Sequence, residues 1–400
     1  MTQEMDVRQA AVMPTYGRAD IAFVRGKGSW LYTKDDTAYL DCATGIAVNT
    51  FGHGDPRLLA ALHEQADKLW HTSNLYRIDE QEKLAFRLAS HAGLDHVFFC
   101  NSGAEANEAA VKMARRYQYR QGFEKRHKIL CAGGAFHGRT LAMLAATDKP
   151  LFREGFGPMP EGFVHVPFGN LNHLRDAMDE DVAAIMVEPV QGEGGAIAAP
   201  EGYLEGIKKA ADDFGALVIA DEVQTGMGRT GYLFAYQKAG IQPDLVVLAK
   251  GLGGGFPVGG VIARKEIGQA MGPGSHGSTF GGNPLAMAVA NAVLDGLEED
   301  GFLEDTRRRA DVLATKLDQL ASDYPDQIIE RRGAGFLRGL RLADDIAVGN
   351  VTAALREKHL LTVPAGENVL RLLPPLNITD AEIEHAYMIL DSVFSAFAAA

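Results

Sequence analysis

Leu245-Val246-Val247-Leu248-Ala249-Lys250, followed by Gly251-Leu252-Gly253-Gly254-Gly255, is the stretch that decides the fold. Five apolar residues in a row predict a buried strand, too short to be a core helix. The run ends on a lysine at the mouth of a glycine-rich loop. Partial loss of hydration there disfavours the ammonium and favours the free amine. A neutral amine beside a flexible backbone is what a Schiff base with a carbonyl cofactor requires. The competing reading is a strand-end lysine that snorkels to water. The neighbouring segments have to decide between them.

Working outward, further strands are expected at residues 96–100, 128–132, 163–166, 184–188, 217–221 and 259–263, beside this one at 244–249. They alternate with helical periodicity, as in a mostly parallel sheet covered on both faces. After Ser102, the apolar positions Ala106, Ala109, Ala110, Met113 and Tyr117 follow the i, i+3, i+4 rule of an amphipathic helix. Asp55-Pro56 opens another helix, with Asp as N-cap and Pro at the first helical position. Nearer the N-terminus, residues 22–25 and 29–32 alternate around a Gly26-Lys27-Gly28 turn. A helix at 284–296 leads to a C-terminal α+β part, with helices near 306–322 and 380–398 and short strands near 336–342 and 370–372. The expected division is residues 1–50, an N-terminal segment of a small lobe; 51–290, a large cofactor-binding domain; and 291–400, a C-terminal small domain.

The bulk properties narrow the class. The chain has 400 residues, 46% hydrophobic and 23% charged, which suits a globular protein with a sizeable core. A net charge of −13 opposes binding to nucleic acid and to anionic membranes. There is no zinc-finger spacing and no apolar stretch of membrane-spanning length. Residues 1–11 are polar and lack the apolar core of a signal peptide. Cys42, Cys100 and Cys131 are widely spaced, which fits free thiols in a reducing cytoplasm. A cytoplasmic location and no metal are therefore expected.

In open α/β sheets, ligands collect at the carboxyl ends of the strands. Five such ends carry polar groups: Asn101-Ser102-Gly103-Ala104, Gly133-Gly134-Ala135-Phe136-His137, Glu188, Asp221 and Lys250. The Ser-Gly-Ala turn into a helix reads as a phosphate cradle, or equally as a capping box between Ser102 and Glu105. Asp221 reads as a partner for a protonated ring nitrogen, or as the cap of a turn. Gly226-Met227-Gly228-Arg229-Thr230-Gly231 matches the dinucleotide pattern formally. It is discounted, because it neither follows a strand directly nor opens a helix.

Together the motifs resemble the class III pyridoxal-phosphate aminotransferases. The resemblance rests on Asn101 to Glu108, Phe136-His137-Gly138-Arg139-Thr140, Glu188-Pro189-Val190-Gln191-Gly192-Glu193-Gly194-Gly195, Asp221-Glu222-Val223-Gln224-Thr225-Gly226, Lys250 and Gly277-Ser278-Thr279-Phe280-Gly281-Gly282-Asn283-Pro284. Within that class the chain is most similar to acetylornithine aminotransferases, in Gly45-Ile46-Ala47-Val48-Asn49, Ser73-Asn74-Leu75-Tyr76 and Arg371-Leu372-Leu373-Pro374-Pro375-Leu376.

The resemblance implies an α/β, fold-type I architecture: a mostly parallel mixed sheet between helices, plus a smaller α+β lobe from the N- and C-terminal segments. It implies pyridoxal 5′-phosphate, with Lys250 as covalent anchor and proton shuttle. Asp221 would face the ring nitrogen, Phe136 would stack on the ring, and Gln224 would reach the phenolic oxygen. Ser102, Gly103 and Ala104 would cradle the phosphate, and Thr279 would reach the phosphate of a neighbouring subunit, making a homodimer with composite sites. Among amino-acid substrates, Arg371 would grip the α-carboxylate of glutamate and 2-oxoglutarate. Glu193 would pair with Arg371 when an ω-amine is bound, Arg139 would hold the donor's distal carboxylate, and Tyr16 would line the entrance. Ile46 stands where ornithine aminotransferases are expected to carry a tyrosine, which argues against free ornithine. His53, His71 and His137 read as packing or hydrogen-bonding residues. The implied reaction moves the δ-amino group of N2-acetylornithine to 2-oxoglutarate. N-succinyl-diaminopimelate, N-succinylornithine and 4-aminobutyrate are alternative donors. A nicotinamide oxidoreductase and a non-catalytic cofactor-binding protein lie outside this class.

Overall fold

The computed structural model describes residues 11–398. The polar start of the chain, residues 1–10, on which the expected absence of a signal peptide rests, lies outside the described residues. A seven-stranded sheet forms the centre, in the order His96–Cys100, Gly259–Ala263, Leu245–Leu248, Leu217–Asp221, Val182–Val187, Lys128–Ala132, Phe163–Val166. Gly259–Ala263 runs antiparallel to both neighbours, and the other pairs are parallel, so the sheet is mixed as expected. The inner strands are buried along their whole length, because helices cover both faces and leave no position facing water.

Strand alternation divides the core between these faces. Leu245 and Val247 point to one side, with Leu217, Ile219 and the Ala106, Ala109, Ala110 and Met113 stripe of helix Gly103–Arg120. Val246 and Leu248 point to the other side, with Ala286, Met287, Ala290 and Val293 of helix Pro284–Leu297. Asp55 caps helix Pro56–Ala66 by accepting from the amides of Arg57 and Leu58, as the Asp-Pro pair predicts.

A second, antiparallel sheet has the order Ile328–Ala334, Leu337–Leu342, Val369–Leu372, Val363–Ala365. Helices Phe302–Asp323, Val348–Glu357 and Asp380–Ala398 pack with it. The N-terminal strands Phe23–Lys27, Trp30–Thr33 and Ala38–Asp41 join this part of the molecule. Leu40 pairs with Leu360, and Trp30 Nε1 donates to Glu382 at 2.8 Å. Cys42, Cys100 and Cys131 are free and buried. Among the described residues no helix is long and apolar enough to cross a membrane, and no cluster of His, Cys, Asp and Glu could hold a metal.

Leu248 is 1% exposed, two residues before Lys250, between the sheet and helix Pro284–Leu297. Leu248→Ala is expected to cost about 3 kcal/mol, from lost burial plus an unfilled cavity. The check is the shift of the urea unfolding midpoint; a loss below about 1 kcal/mol would show that the site collapses around the gap.

Candidate active site

The sheet ends at Leu248, and the chain then turns sharply. Lys250 has φ +43°, in the left-handed region that a non-glycine residue adopts only under constraint, and opens a single 3-10 turn to Leu252. The turn leaves Lys250 lining a cavity of about 420 Å³ at the carboxyl ends of the strands. Ser102, Gly103, Ala104, Phe136, Arg139, Asp221 and Gln224 line it too. Withdrawal from water lowers the Lys250 ammonium to about 8, with Glu193 opposing the shift and Arg371 adding to it. The lysine stays in the cavity rather than snorkelling out.

Asp221 sits 2% exposed on the cavity wall. Its Oδ2 accepts from His137 Nδ1 at 2.7 Å and from Asn107 Nδ2 at 2.8 Å. Its Oδ1 accepts from the Val223 amide at 3.0 Å, which leaves that oxygen a free lone pair. Burial works against the His137 imidazolium, but the hydrogen bond and charge of Asp221 outweigh it and raise the pKa. Glu188 accepts from the amides of Phe136 at 2.9 Å and Gly192 at 3.4 Å. Burial pushes its carboxyl up to about 7; Asp221 adds to the shift, and His137 opposes it.

The motifs give no direct sign of the joint hold of Asn107 and His137 on Asp221. The signal for Asn107 is its place on the apolar stripe of its helix, where a buried amide needs partners. His137, expected to pack or hydrogen-bond, does both.

The start of helix Gly103–Arg120 satisfies both readings of its sequence. Ser102 Oγ accepts from the Glu105 amide at 3.3 Å as N-cap, and Glu105 Oε2 reaches one residue past the cap to accept from the Asn101 amide at 2.9 Å, a variant of the capping box. The amides of Gly103 and Ala104, at the first two positions of the helix, have no intrahelical acceptor and line the cavity.

Arg371 is 0% exposed. One guanidinium nitrogen lies 2.7 Å from Glu193 Oε1, a close pair that is not collinear, and another donates to Gln224 Oε1 at 3.0 Å. Burial disfavours the Glu193 carboxylate, but Arg371 above all, and then Lys250, bring its pKa below the ordinary value. A Cβ on Gly192 would lie 2.0 Å from Gln224 Oε1, so a side chain there would displace the Gln224 amide from Arg371. Gln224, expected at a phenolic oxygen, also lines the cavity, and its carbonyl is engaged with Arg371. Arg139 is exposed at the mouth, its guanidinium 3.5 Å from the centre of the Phe152 ring and 5.5 Å from that of Phe136.

Three expected residues are not brought together with these. Tyr16 is 74% exposed and outside the lining. Thr279 is exposed and also outside it, although Ser278 Oγ accepts from Asn101 Nδ2 at 3.2 Å next to the Ser102 turn. Ile46, 39% exposed, lies in a left-handed run from Thr44 to Ala47; Val48 after it, not Ile46, reaches the cavity.

Comparison with known proteins agrees with this geometry. The family model for class-III aminotransferases matches residues 12–394. The acetylornithine aminotransferase of Mesorhizobium japonicum is 51% identical over 377 residues, covering 94% of both chains. That of Rhodobacter capsulatus is 49% identical over 383 residues, 96% of this chain and 97% of the other. Among solved structures, the N-acetylornithine aminotransferase of Stenotrophomonas maltophilia superposes with a TM-score of 0.84 at 37% identity, over 96% of this chain and 98% of that one. An ornithine aminotransferase of Toxoplasma gondii, described with partial occupancy of PLP at its active site, gives 0.93 at 32% identity, over 99% and 94%.

If the Lys250 amine is free at moderate pH, its capture of added pyridoxal phosphate by the apoprotein should rise with a midpoint near pH 8, well below the ordinary lysine value of 10.5. Stopped-flow absorbance across pH 6.5–10, with Lys250→Ala as blank, measures it. A rate still climbing at pH 10 would contradict the depressed pKa.

Proposed function

The chain belongs to the class-III aminotransferases, and we propose that it moves the δ-amino group of N2-acetylornithine to 2-oxoglutarate, giving N-acetylglutamate 5-semialdehyde and glutamate, a step of arginine synthesis. The observation that carries the reading is the fully buried Arg371 paired with Glu193, both close enough for their charges to act on Lys250. Curated relatives near 50% identity and bearing that activity support the donor.

The residues present fit pyridoxal phosphate. The unpaired amides at one end of the cavity suit a phosphate, the half-free Asp221 carboxylate suits a ring N–H, and a lysine amine lies on the same wall. Ser102, Gly103 and Ala104 would hold the phosphate, Phe136 the ring face, and Gln224 the phenolic oxygen. Bound there, pyridoxal phosphate supplies an electron sink for the carbanion left when the amine-bearing carbon loses a proton. Lys250 Nζ, whose ammonium burial lowers to about 8, takes that proton in its free-amine form and returns it to the neighbouring position. Asp221, fixed by His137 and Asn107, holds a proton on the ring nitrogen.

The two substrates present different groups to one cavity. With the ω-amine donor, no carboxylate lies near the reacting carbon, and Glu193 keeps Arg371 neutralised. With glutamate, the α-carboxylate takes the guanidinium, and Glu193 turns away. Arg139 at the mouth would hold the carboxylate at the far end of either substrate. The Arg371 Nε–H has no acceptor among the described residues, a donor ready for that carboxylate.

A homodimer with composite sites completes the proposal, Thr279 serving the neighbouring subunit. The edge that carries Thr279 supports it. Leu75 is 88% exposed, Tyr76 70% and Phe280 61%, and Asn74 Nδ2 donates to the Gly281 carbonyl at 2.8 Å, so these side chains share one apolar border. The free, buried cysteines suit a cytoplasmic setting.

Two measurements check this reading. Glu193→Gln leaves Arg371 uncompensated, so kcat/KM for the acetylornithine half-reaction should fall about tenfold or more, about 1.4 kcal/mol of transition-state stabilisation, while the glutamate half-reaction holds or rises. Equal losses in both would contradict the exchange. In single turnovers of the holoenzyme, acetylornithine should outpace ornithine and 4-aminobutyrate. A tenfold advantage for either of these, about 1.4 kcal/mol, would overturn the donor assignment.

A further inference from the structure

A second cavity, of about 710 Å³, lies behind the active site. Its walls come from the same segments: Pro189 and Val190 follow Glu188, Thr230 follows the Asp221 to Gln224 turn, and Arg338 precedes Gly339, the register partner of Arg371. Arg338 pairs instead with Leu372, so strand alternation puts Arg338 and Arg371 on opposite faces of the small sheet. The two cavities share no lining residue.

Arg338 is 7% exposed and forms no ion pair among the described residues. One guanidinium nitrogen donates to the Gly333 carbonyl at 3.1 Å, and the buried Nε–H has no acceptor. Burial lowers its pKa to about 10; Arg331 adds to this, while Asp311 and Asp318 oppose it from beyond ion-pairing distance. Thr230, 9% exposed, also lines the cavity, and its Oγ is unpartnered. The placement is enforced. Gly335 has φ +57°, and a Cβ there would lie 2.4 Å from Thr230 Cα, so the 333–336 turn presses directly onto Thr230. Phe336 donates its amide to the Arg229 carbonyl at 2.9 Å and holds that contact.

A buried guanidinium with a free N–H, beside a buried hydroxyl with no partner, is costly unless something fills it. Half-buried Arg307, fixed by a 2.7 Å bond to the Gly231 carbonyl, adds positive charge to the wall. Glu201, Glu205 and Asp311 are exposed at the rim, with Lys238. Acids at the rim disfavour a highly charged anion, while the deep arginine favours a compact one.

We propose that this cavity is a binding site for the carboxylate of a small metabolite, seated against Arg338 and Thr230 and separate from the substrate carboxylate site at Arg371. The walls have room for the rest of such a molecule, and the rim acids can accept an ammonium group on it.

Ligand-observed NMR on the holoenzyme tests the site with acetate and with methylphosphonate, at constant ionic strength. Visible absorbance of the bound cofactor reports separately any ligand that enters the active site. Saturable acetate binding is expected without an absorbance change, weakened at least tenfold in Arg338→Gln and at least threefold in Thr230→Val. Turnover of both variants without added acetate should stay within twofold of the parent. If Arg338→Gln does not fold, Thr230→Val carries the test. No saturable binding, binding unchanged in the variants, or binding of methylphosphonate alone would each overturn the proposal.

Discussion

A guanidinium shut off from solvent has to be satisfied from within the fold, and Arg371 imposes that requirement on both lobes. It stands on strand Val369–Leu372 of the small sheet, while its partners, Glu193 and Gln224, stand on loops that leave the central sheet. The pair therefore fixes how the small lobe meets the crevice that holds Lys250. Loss of Glu193 would leave a buried charge unpaired, which costs far more than a surface bridge. In the proposed exchange a substrate carboxylate replaces Glu193, bringing the same charge to the guanidinium. Under the proposed exchange, one arrangement serves both structure and substrate binding.

The other charges of the crevice follow the same logic. Lys250 is driven toward the neutral amine by burial, and Glu188 toward the neutral acid. Asp221 is surrounded by donors instead, from His137, Asn107 and the Val223 amide. The result is one hydrogen-bonded carboxylate, one buried ion pair and one poised amine near the same strand ends. The central sheet makes this possible because six of its seven strands run in one direction, so their ends, and the loops that follow, converge.

Much of this was legible in the sequence, for identifiable reasons. The strands of the central sheet are apolar runs bounded by polar or glycine-rich loops, and their limits fell within two residues of those expected. The stripe on helix Gly103–Arg120 and the Asp55 cap follow from spacing alone. Strand Ile328–Ala334 was not foreseen: it is a sheet edge whose Glu330, Arg331 and Arg332 break the apolar pattern. The left-handed run at Thr44 to Ala47 is equally hidden, since its hold includes a distant bond, Thr44 Oγ to the Leu373 carbonyl at 2.6 Å. Lys250 and Asp221 line one cavity with Gln224, which also receives Arg371, the partner of Glu193. Thr279 and Tyr16 lie outside the cavity lining.

The exchange at Arg371 is the central claim, and crystal structures of the holoenzyme with two unreactive ligands test it most directly. With an N-acetylated ω-amine analogue, the Arg371 to Glu193 distance should stay near 2.7 Å. With a dicarboxylate that mimics 2-oxoglutarate, the pair should open beyond ion-pairing distance, with the ligand carboxylate on the guanidinium. A pair that stays closed around both ligands, with the dicarboxylate held elsewhere, would contradict the account.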